Sequence, residues 1–283
     1  MKTQLLEMIR KDIGNFPGMP GAASKLLALL NNTETPLAEI EAILRYEPGL
    51  TANVLRLVNS AYFGISKKIG SVRQAVLLMG WKRLTQLVLA SCVSAIMDKP
   101  VSGYDLVPGD LWRHAVAVAV ASEGLAKLLN VGGVEEIFTA GLLHDVGKMV
   151  LGRFVEEHRV DMEVESYRER SFEQVEREIF GMDHAEVGAL ILSKWGLPED
   201  LVLAVRYHHE PDKAPKPLST VDIVHVADIV SLMIGIGVGR EGLQYEVSNE
   251  VTSRLHLETR HIERIASETL QWVHAFTASM QPE

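Results

Sequence analysis

Glu135-Glu136-Ile137-Phe138-Thr139-Ala140-Gly141-Leu142-Leu143-His144-Asp145-Val146-Gly147-Lys148 is an apolar run that ends on a histidine and an aspartate. Its spacing predicts a buried helix over 135–143. The residues that follow supply an imidazole, a carboxylate, a glycine that lets the backbone bend, and a cation. Burying an imidazole beside a carboxylate is costly unless something compensates. A divalent cation is the natural compensation. The plain alternative is an Asp145 that only accepts a hydrogen bond from a histidine. Lys148 reads either as a phosphate partner or as a salt-bridged helix residue.

The same helical pattern extends in both directions. Ala22 to Leu30 is rich in Ala and Leu. Thr35 is expected to cap the next helix, with Pro36 at its first position, as far as about Tyr46. Leu50 to Asn59 follows. Ser71 caps a helix through Met79, Gly80 stops it, and Trp81 to Ile96 is a long apolar helix. Lys99 to Tyr104 and Pro108-Gly109-Asp110 read as a linker. Beyond it the composition shifts: seven of the ten histidines lie between 114 and 225, and none lies earlier. No alternating strand runs and no internal repeat are present. The expected fold is all-α, with two packed helical lobes, residues 1–104 and 105–283, the second ending in a variable helical extension from about 240.

The second lobe holds the candidate ligands. His114 begins a buried helix that starts near Asp110. His184 follows Asp183, which reads as a helix cap. His208-His209 close a helix over Leu201 to Tyr207. His225 and Asp228, three apart, share a face of the helix Val221 to Met233. The metal set read from these positions is His114, His144, Asp145, His184, His208, His209 and Asp228, with His225 a spare core or supporting residue. Nitrogen and carboxylate ligands suit Fe, Mn, Zn, Ni or Co. A bridging carboxylate such as Asp145 favours two ions.

Composition narrows the function classes. The chain has 283 residues, 47% hydrophobic and 23% charged, which reads as globular. A formal net charge of -9 argues against sequence-independent nucleic-acid binding, so no nucleic-acid partner is expected. No window approaches the ~18 uninterrupted apolar residues of a membrane span, and the start of the chain has no apolar signal core. A cytoplasmic protein without a membrane partner is expected, with Cys92 a small core residue in a reducing compartment. Asn59 to Gly64 reads as a turn with Tyr62 and Phe63 packed; a ligand surface is the other reading. Lys67-Lys68 and Lys82-Arg83 read as solvated faces, and Val155 to Arg177 as an exposed, solvated helical segment. Gly235 to Gly239 reads as a loop.

His114, then His144-Asp145, then Asp228 resembles the H…HD…D signature of HD-domain metal-dependent phosphohydrolases. Adding Lys148, His184, His208 and His209 makes the set resemble the HD-GYP branch, the cyclic-di-GMP phosphodiesterases. The overall match is closer to the HDOD (HD-related output domain) family. It is carried by Phe16-Pro17-Gly18-Met19-Pro20, Tyr46 to Thr51, Val58 to Gly64, Ser71 to Val76, Leu78 to Trp81, Gly141 to Lys148 and Asp183 to Ala189. The resemblance covers roughly residues 10 to 235, and such a block of linked motifs is far more specific than a bare HD dipeptide. It implies that the second lobe is an HD-domain-like helical bundle. It also implies a bacterial signal-transduction or regulatory protein with a signalling protein as partner, and a phosphorylated small molecule as a further ligand. All ligand types of the HD-GYP set are present. The Gly-Tyr-Pro segment is absent, since Pro211-Asp212-Lys213 follows His-His-Glu, which argues against cyclic-di-GMP hydrolysis. The expected cofactor is a pair of divalent ions. The alternative function is a metal-dependent phosphohydrolase acting on a phosphorylated small molecule or cyclic dinucleotide, with Asp145 and Lys148 as its catalytic residues. A scaffold with an empty, hydrogen-bonded site is the third reading.

Overall fold

The helices follow one another with short connections. They are Lys2–Asn15 (α1), Gly21–Leu29 (α2), Leu37–Arg45 (α3), Pro48–Val58 (α4), Val72–Met79 (α5), Trp81–Met97 (α6), Asp110–Leu128 (α7) and Val134–Leu143 (α8). Lys148–Glu157 (α9), Arg159–Ser166 (α10), Phe172–Phe180 (α11), His184–Lys194 (α12), Glu199–Tyr207 (α13), Ser219–Met233 (α14), Asn249–Arg254 (α15) and Thr259–Ala278 (α16) complete the order. The structure, a computed structural model, describes residues 2–19, 21–29, 37–45, 47–166, 170–240, 242 and 244–278. Among them the fold is all-α. Pairing of β type is confined to an isolated bridge between Val101 and Leu106. The expected cap at Thr35 lies outside the described residues.

α7 is the axis of the molecule. Its run Ala115 to Ala121 is apolar on every side, and a helix of that kind is stable only when surrounded. α8, α14 and α16 pack on it, and α13 lies across α8 and α14. α12 pairs with α13 and rests on α9. These contacts bring the ends of α7, α8, α12 and α13 and the middle of α14 to one interior point. α6 packs on α2, α4, α5 and α8. α1 lies against α9, α11 and α12, where Lys194 Nζ donates to the carbonyls of Ile13 (3.2 Å), Gly14 (2.7 Å) and Phe16 (3.0 Å). The carbonyls at the end of α1 thus gain a cationic donor.

Two helix starts agree with their caps. Ser71 Oγ accepts from Gln74 N–H at 3.2 Å. Asp183 and Glu186 form a capping box, with Asp183 Oδ1 accepting from Glu186 N–H (2.6 Å) and Glu186 Oε2 from Asp183 N–H (2.9 Å). This box sets the first residue of α12 and so the position of His184. Asn59 to Gly64 is the packed turn expected: Asn59 Nδ2 donates to the Leu55 and Ile69 carbonyls, and Gly64 has φ +59°.

Four expectations need correction. The stretch read as a linker is anchored, not free: Val101, Gly103 and Tyr104, with the neighbouring Leu106, lie inside, while Lys99, Pro100, Ser102 and Pro108 stay exposed. A Cβ on Gly103 would sit 2.2 Å from the Gly152 carbonyl oxygen, so the two glycines let this turn press onto α9. Val155 to Arg177 is not an exposed helix; Val155, Met162, Phe172, Val175 and Glu176 are buried. Its charges lie beside an apolar stripe that the overall polarity masks. Arg83 is not on a solvated face. Its side chain is 14% exposed and lies 2.6 Å from Glu123 Oε2. Gly147 does not serve a bend, since its φ of -64° and ψ of -27° are helical. It serves a close approach: a Cβ there would lie 1.9 Å from the His184 carbonyl oxygen and 2.6 Å from Gly188 N.

Candidate metal centre

α7 supplies His114 near its start, and the end of α8 supplies His144. Asp145 sits in the turn between α8 and α9, and Lys148 opens α9. His184 begins α12, His208 and His209 follow α13, and Asp228 projects from α14. The structure brings all seven sequence-predicted residues and Lys148 together. The seven side chains are no more than 5% exposed.

Asp145 is the centre of the arrangement. Its Oδ2 faces His114 Nε2 (3.6 Å), His144 Nε2 (3.3 Å) and Lys148 Nζ (2.8 Å). Its Oδ1 faces His184 Nε2 (3.5 Å) and His208 Nε2 (3.8 Å). Asp228 Oδ1 lies 3.0 Å from His114 Nε2 and 3.7 Å from His144 Nε2, and its Oδ2 is 4.0 Å from His209 Nδ1. His184 Nε2 and His209 Nε2 are 2.9 Å apart.

Four imidazoles are anchored by their other nitrogen. Nδ1–H donates to the Ile236 carbonyl from His114 (3.0 Å), to Gly141 from His144 (2.8 Å), to Val205 from His208 (2.7 Å), and to Glu176 Oε2 from His184 (2.7 Å). Carbonyl and carboxylate oxygens only accept, so each Nδ1 carries a proton and each Nε2 turns inward, where a bound cation would take the place of any proton on it. That is the orientation a metal-binding histidine needs. His144 Nε2, His208 Nε2 and both Asp145 oxygens are buried with no hydrogen-bond partner, Lys148 meeting Asp145 only as an ion pair. Orphaned lone pairs of this kind are costly in a protein interior. Donor atoms of Asp145, His184, His208 and His209, of His114, His144 and Asp145, and of His144, His208 and Asp228 lie within 4.8 Å of one another in each group. The residues fit a divalent cation, and the cluster can hold one.

Residues 16–211 match the HDOD domain. The chain belongs to the HDOD family. An uncharacterized protein of Treponema pallidum (strain Nichols) is 28% identical to this HDOD chain over 225 residues, which are 77% of the chain and 43% of the relative. A Ribonuclease Y of Lawsonia intracellularis is 29% identical over 156 residues, 55% of the chain and 23% of that protein. The chain therefore spans less than half the length of these curated relatives. The crystal structure of an HDOD domain protein from Geobacter sulfurreducens has the same fold, with a TM-score of 0.74 at 23% identity over 98% of this chain and 97% of that one. No helix among the described residues is long and apolar enough to cross a membrane.

Electrostatics place His208, His209, Asp145 and Asp228 of the HDOD cluster in metal-ready protonation states, whereas at His144 burial is outweighed by Asp145 and Asp228, which hold the imidazole above its ordinary value in the ion-free cluster. Burial disfavours the charged form of His208 and, with His144 nearby, pushes it down to about 3. Burial and the adjacent His208 and His184 hold His209 well below the imidazole range. Burial works against ionised Asp145, but His144 and Lys148 outweigh it and hold the carboxyl well below its ordinary value. Asp228 is also lowered; burial opposes this, and the hydrogen bond from His114 and the charge of His144 prevail. Bound metal requires neutral imidazole and ionised carboxylate.

Several residues at the HDOD site were not found from sequence. Glu176 is fully buried and accepts from Tyr104 Oη as well as from His184. Its signal was available: it falls on the apolar stripe Phe172, Val175, Ile179 and Phe180 of α11, where a glutamate has no packing reason to be. His225 stays outside the cluster. Its Nδ1–H donates to the His208 carbonyl (2.7 Å) and its Nε2 accepts from Ser248 N–H (3.1 Å). Ile236, Gly237 and Tyr245 gave no sequence signal.

Proposed function

We propose that this chain is a bacterial HDOD signal-relay protein whose buried cluster holds two divalent ions bridged by Asp145. One observation carries the reading: the two oxygens of Asp145 face different imidazole sets, and neither oxygen has a hydrogen bond. His184, His208 and His209 would share one ion with Oδ1. His114, His144 and Asp228 would share the other with Oδ2. Six of the seven ligand residues are buried and the His209 side chain is 5% exposed, which favours a structural or sensory centre over an open hydrolytic one. A signalling protein is the expected partner, and Leu77 and Leu78, 71% and 61% exposed on α5, offer it an apolar contact.

A second reading, a metal-dependent phosphohydrolase acting on a phosphorylated small molecule or cyclic dinucleotide, rests on Lys148. Its Nζ sits 2.8 Å from Asp145 Oδ2, a cation placed to take a phosphoryl oxygen. Bound divalent ions supply Lewis acidity and lower the pKa of a bound water. The likeness to Ribonuclease Y, a named nuclease, adds to this reading.

Elemental analysis of protein purified without chelators tests the first reading, which expects about two ions per chain and no turnover of bis(p-nitrophenyl) phosphate with added Mn or Fe. Absence of metal sinks it. Turnover that disappears in Asp145→Ala with the fold intact establishes the second reading.

A further inference from the structure

The strap that follows α14, described over 234–240 and 244–248, lies beyond the HDOD match and directly on the cluster. The Ile236 carbonyl holds His114 Nδ1–H at 3.0 Å. Gly237 has φ +75°, and a Cβ there would come within 2.4 Å of His114 Cβ, so bare backbone covers that imidazole. Arg240 pins the strap, its N–H on the Tyr104 carbonyl (2.9 Å) and its guanidinium on Glu163 (2.6 Å). Ser248 N–H meets His225, which holds the His208 carbonyl.

Tyr245 is the distinctive member. Its ring stacks on His209 with centroids 4.7 Å apart and planes 20° from parallel, and its hydroxyl donates to Glu173 Oε2 at 3.2 Å. A residue that only filled the core would be buried. Tyr245 is half-buried, between exposed Gln244 and Glu246, so its ring meets the cluster while part of the residue stays accessible to solvent. It also lines a cavity of about 220 Å³ with Ile229, Leu232 and Met233, which leaves the ring room to move.

We propose that Tyr245 determines access to the centre: stacked on His209, it keeps phosphate-sized oxyanions from the ion shared by His184, His208 and His209, and its displacement admits them. This rests on the metal reading above. The strap is therefore the element through which a partner could open or seal the site.

The test compares native protein, Tyr245→Phe and Tyr245→Ala, each loaded with cobalt. Inorganic phosphate is titrated by visible absorption, and cobalt loss to EDTA is timed. Tyr245→Ala is expected to bind phosphate about tenfold more tightly and to lose cobalt about tenfold faster, a shift of about 1.4 kcal/mol. Tyr245→Phe keeps the ring and is expected to match the native protein. If the alanine variant does not fold, Tyr245→Leu, which keeps apolar bulk without the flat ring, replaces it. Equal phosphate affinity and equal cobalt loss in fully loaded native and truncated proteins overturn the gate alone. Failure of all forms to take up cobalt overturns the metal reading and the gate with it.

Discussion

Glu176 Oε2 accepts both the backbone N–H of His184, at 3.0 Å, and its Nδ1–H, at 2.7 Å. One carboxylate oxygen therefore fixes the start of α12 and the tautomer of the imidazole that begins it. Tyr104 Oη holds the other oxygen. Glu176→Gln keeps the shape and removes the charge that makes His184 a stronger donor. Metal affinity is expected to fall roughly 10–100-fold with little change in helicity. Competition with a fluorescent chelator measures this; an unchanged affinity would mean that Glu176 only serves the fold.

Asp145 and Asp228 are expected to have unequal effects on metal content. Asp145 faces two imidazoles of each set within 3.8 Å, whereas Asp228 meets His114 and His144 through Oδ1 and reaches the second set through Oδ2 at His209, 4.0 Å away. Asp145→Asn should leave the protein nearly metal-free, while Asp228→Asn should retain about one ion per chain. Elemental analysis with circular dichroism as the fold control decides this. Equal loss in both variants would argue against a bridging Asp145.

The gathering of the seven residues was legible because each lies at a helix end or on an apolar helix, where an ionisable side chain has no packing reason to be. Asp183 as a cap and Ser71 as another were legible because capping is local. Arg83 was misread because it stands beside Lys82 as a basic pair, and only its partner across the fold, Glu123, shows that it is buried; Glu176 was overlooked among the charges of α11, although the stripe Phe172, Val175, Ile179 and Phe180 marks its face. Tyr245 and Ile236 could not be read at all. Their contacts to His209 and His114 span 36 and 122 residues and obey no local periodicity.

Glu123 gives a pH signature separate from the metal centre. It accepts from Tyr62 Oη (2.6 Å), pairs with Arg83 (2.6 Å) and also meets Lys127. Burial pushes its carboxyl up, but Arg83 and the hydrogen bonds from Lys127 and Tyr62 prevail and hold it below the ordinary value. The folded pKa lies below the unfolded one, so the stabilisation is complete above the unfolded value of about 4.3. It is lost as pH falls through the folded value. Glu123→Gln should be less stable than the native protein at pH 7, and the gap should narrow in acid. Melting temperatures from pH 7 to pH 3 check it. Glu123→Ala strands a buried Arg83 and should cost about 3 kcal/mol at pH 7.

Alanine substitutions at Gly147 and Gly49 should act in opposite directions. At Gly147 the new Cβ meets backbone, 1.9 Å from the His184 carbonyl oxygen, and backbone cannot step aside by changing a rotamer. α9 must move off α12, which costs about 3 kcal/mol and roughly 6 °C in Tm. The same movement displaces His184 from Asp145, so metal content should fall together with stability. Gly49 lies exposed in the first turn of α4 with nothing within 4 Å of an added Cβ. There alanine only restricts the unfolded chain, and a gain of about 0.5 kcal/mol is expected. Calorimetry of the two variants reads the difference; a Gly147→Ala protein that keeps its metal and its melting temperature would show that the approach of α9 to α12 does not position the site.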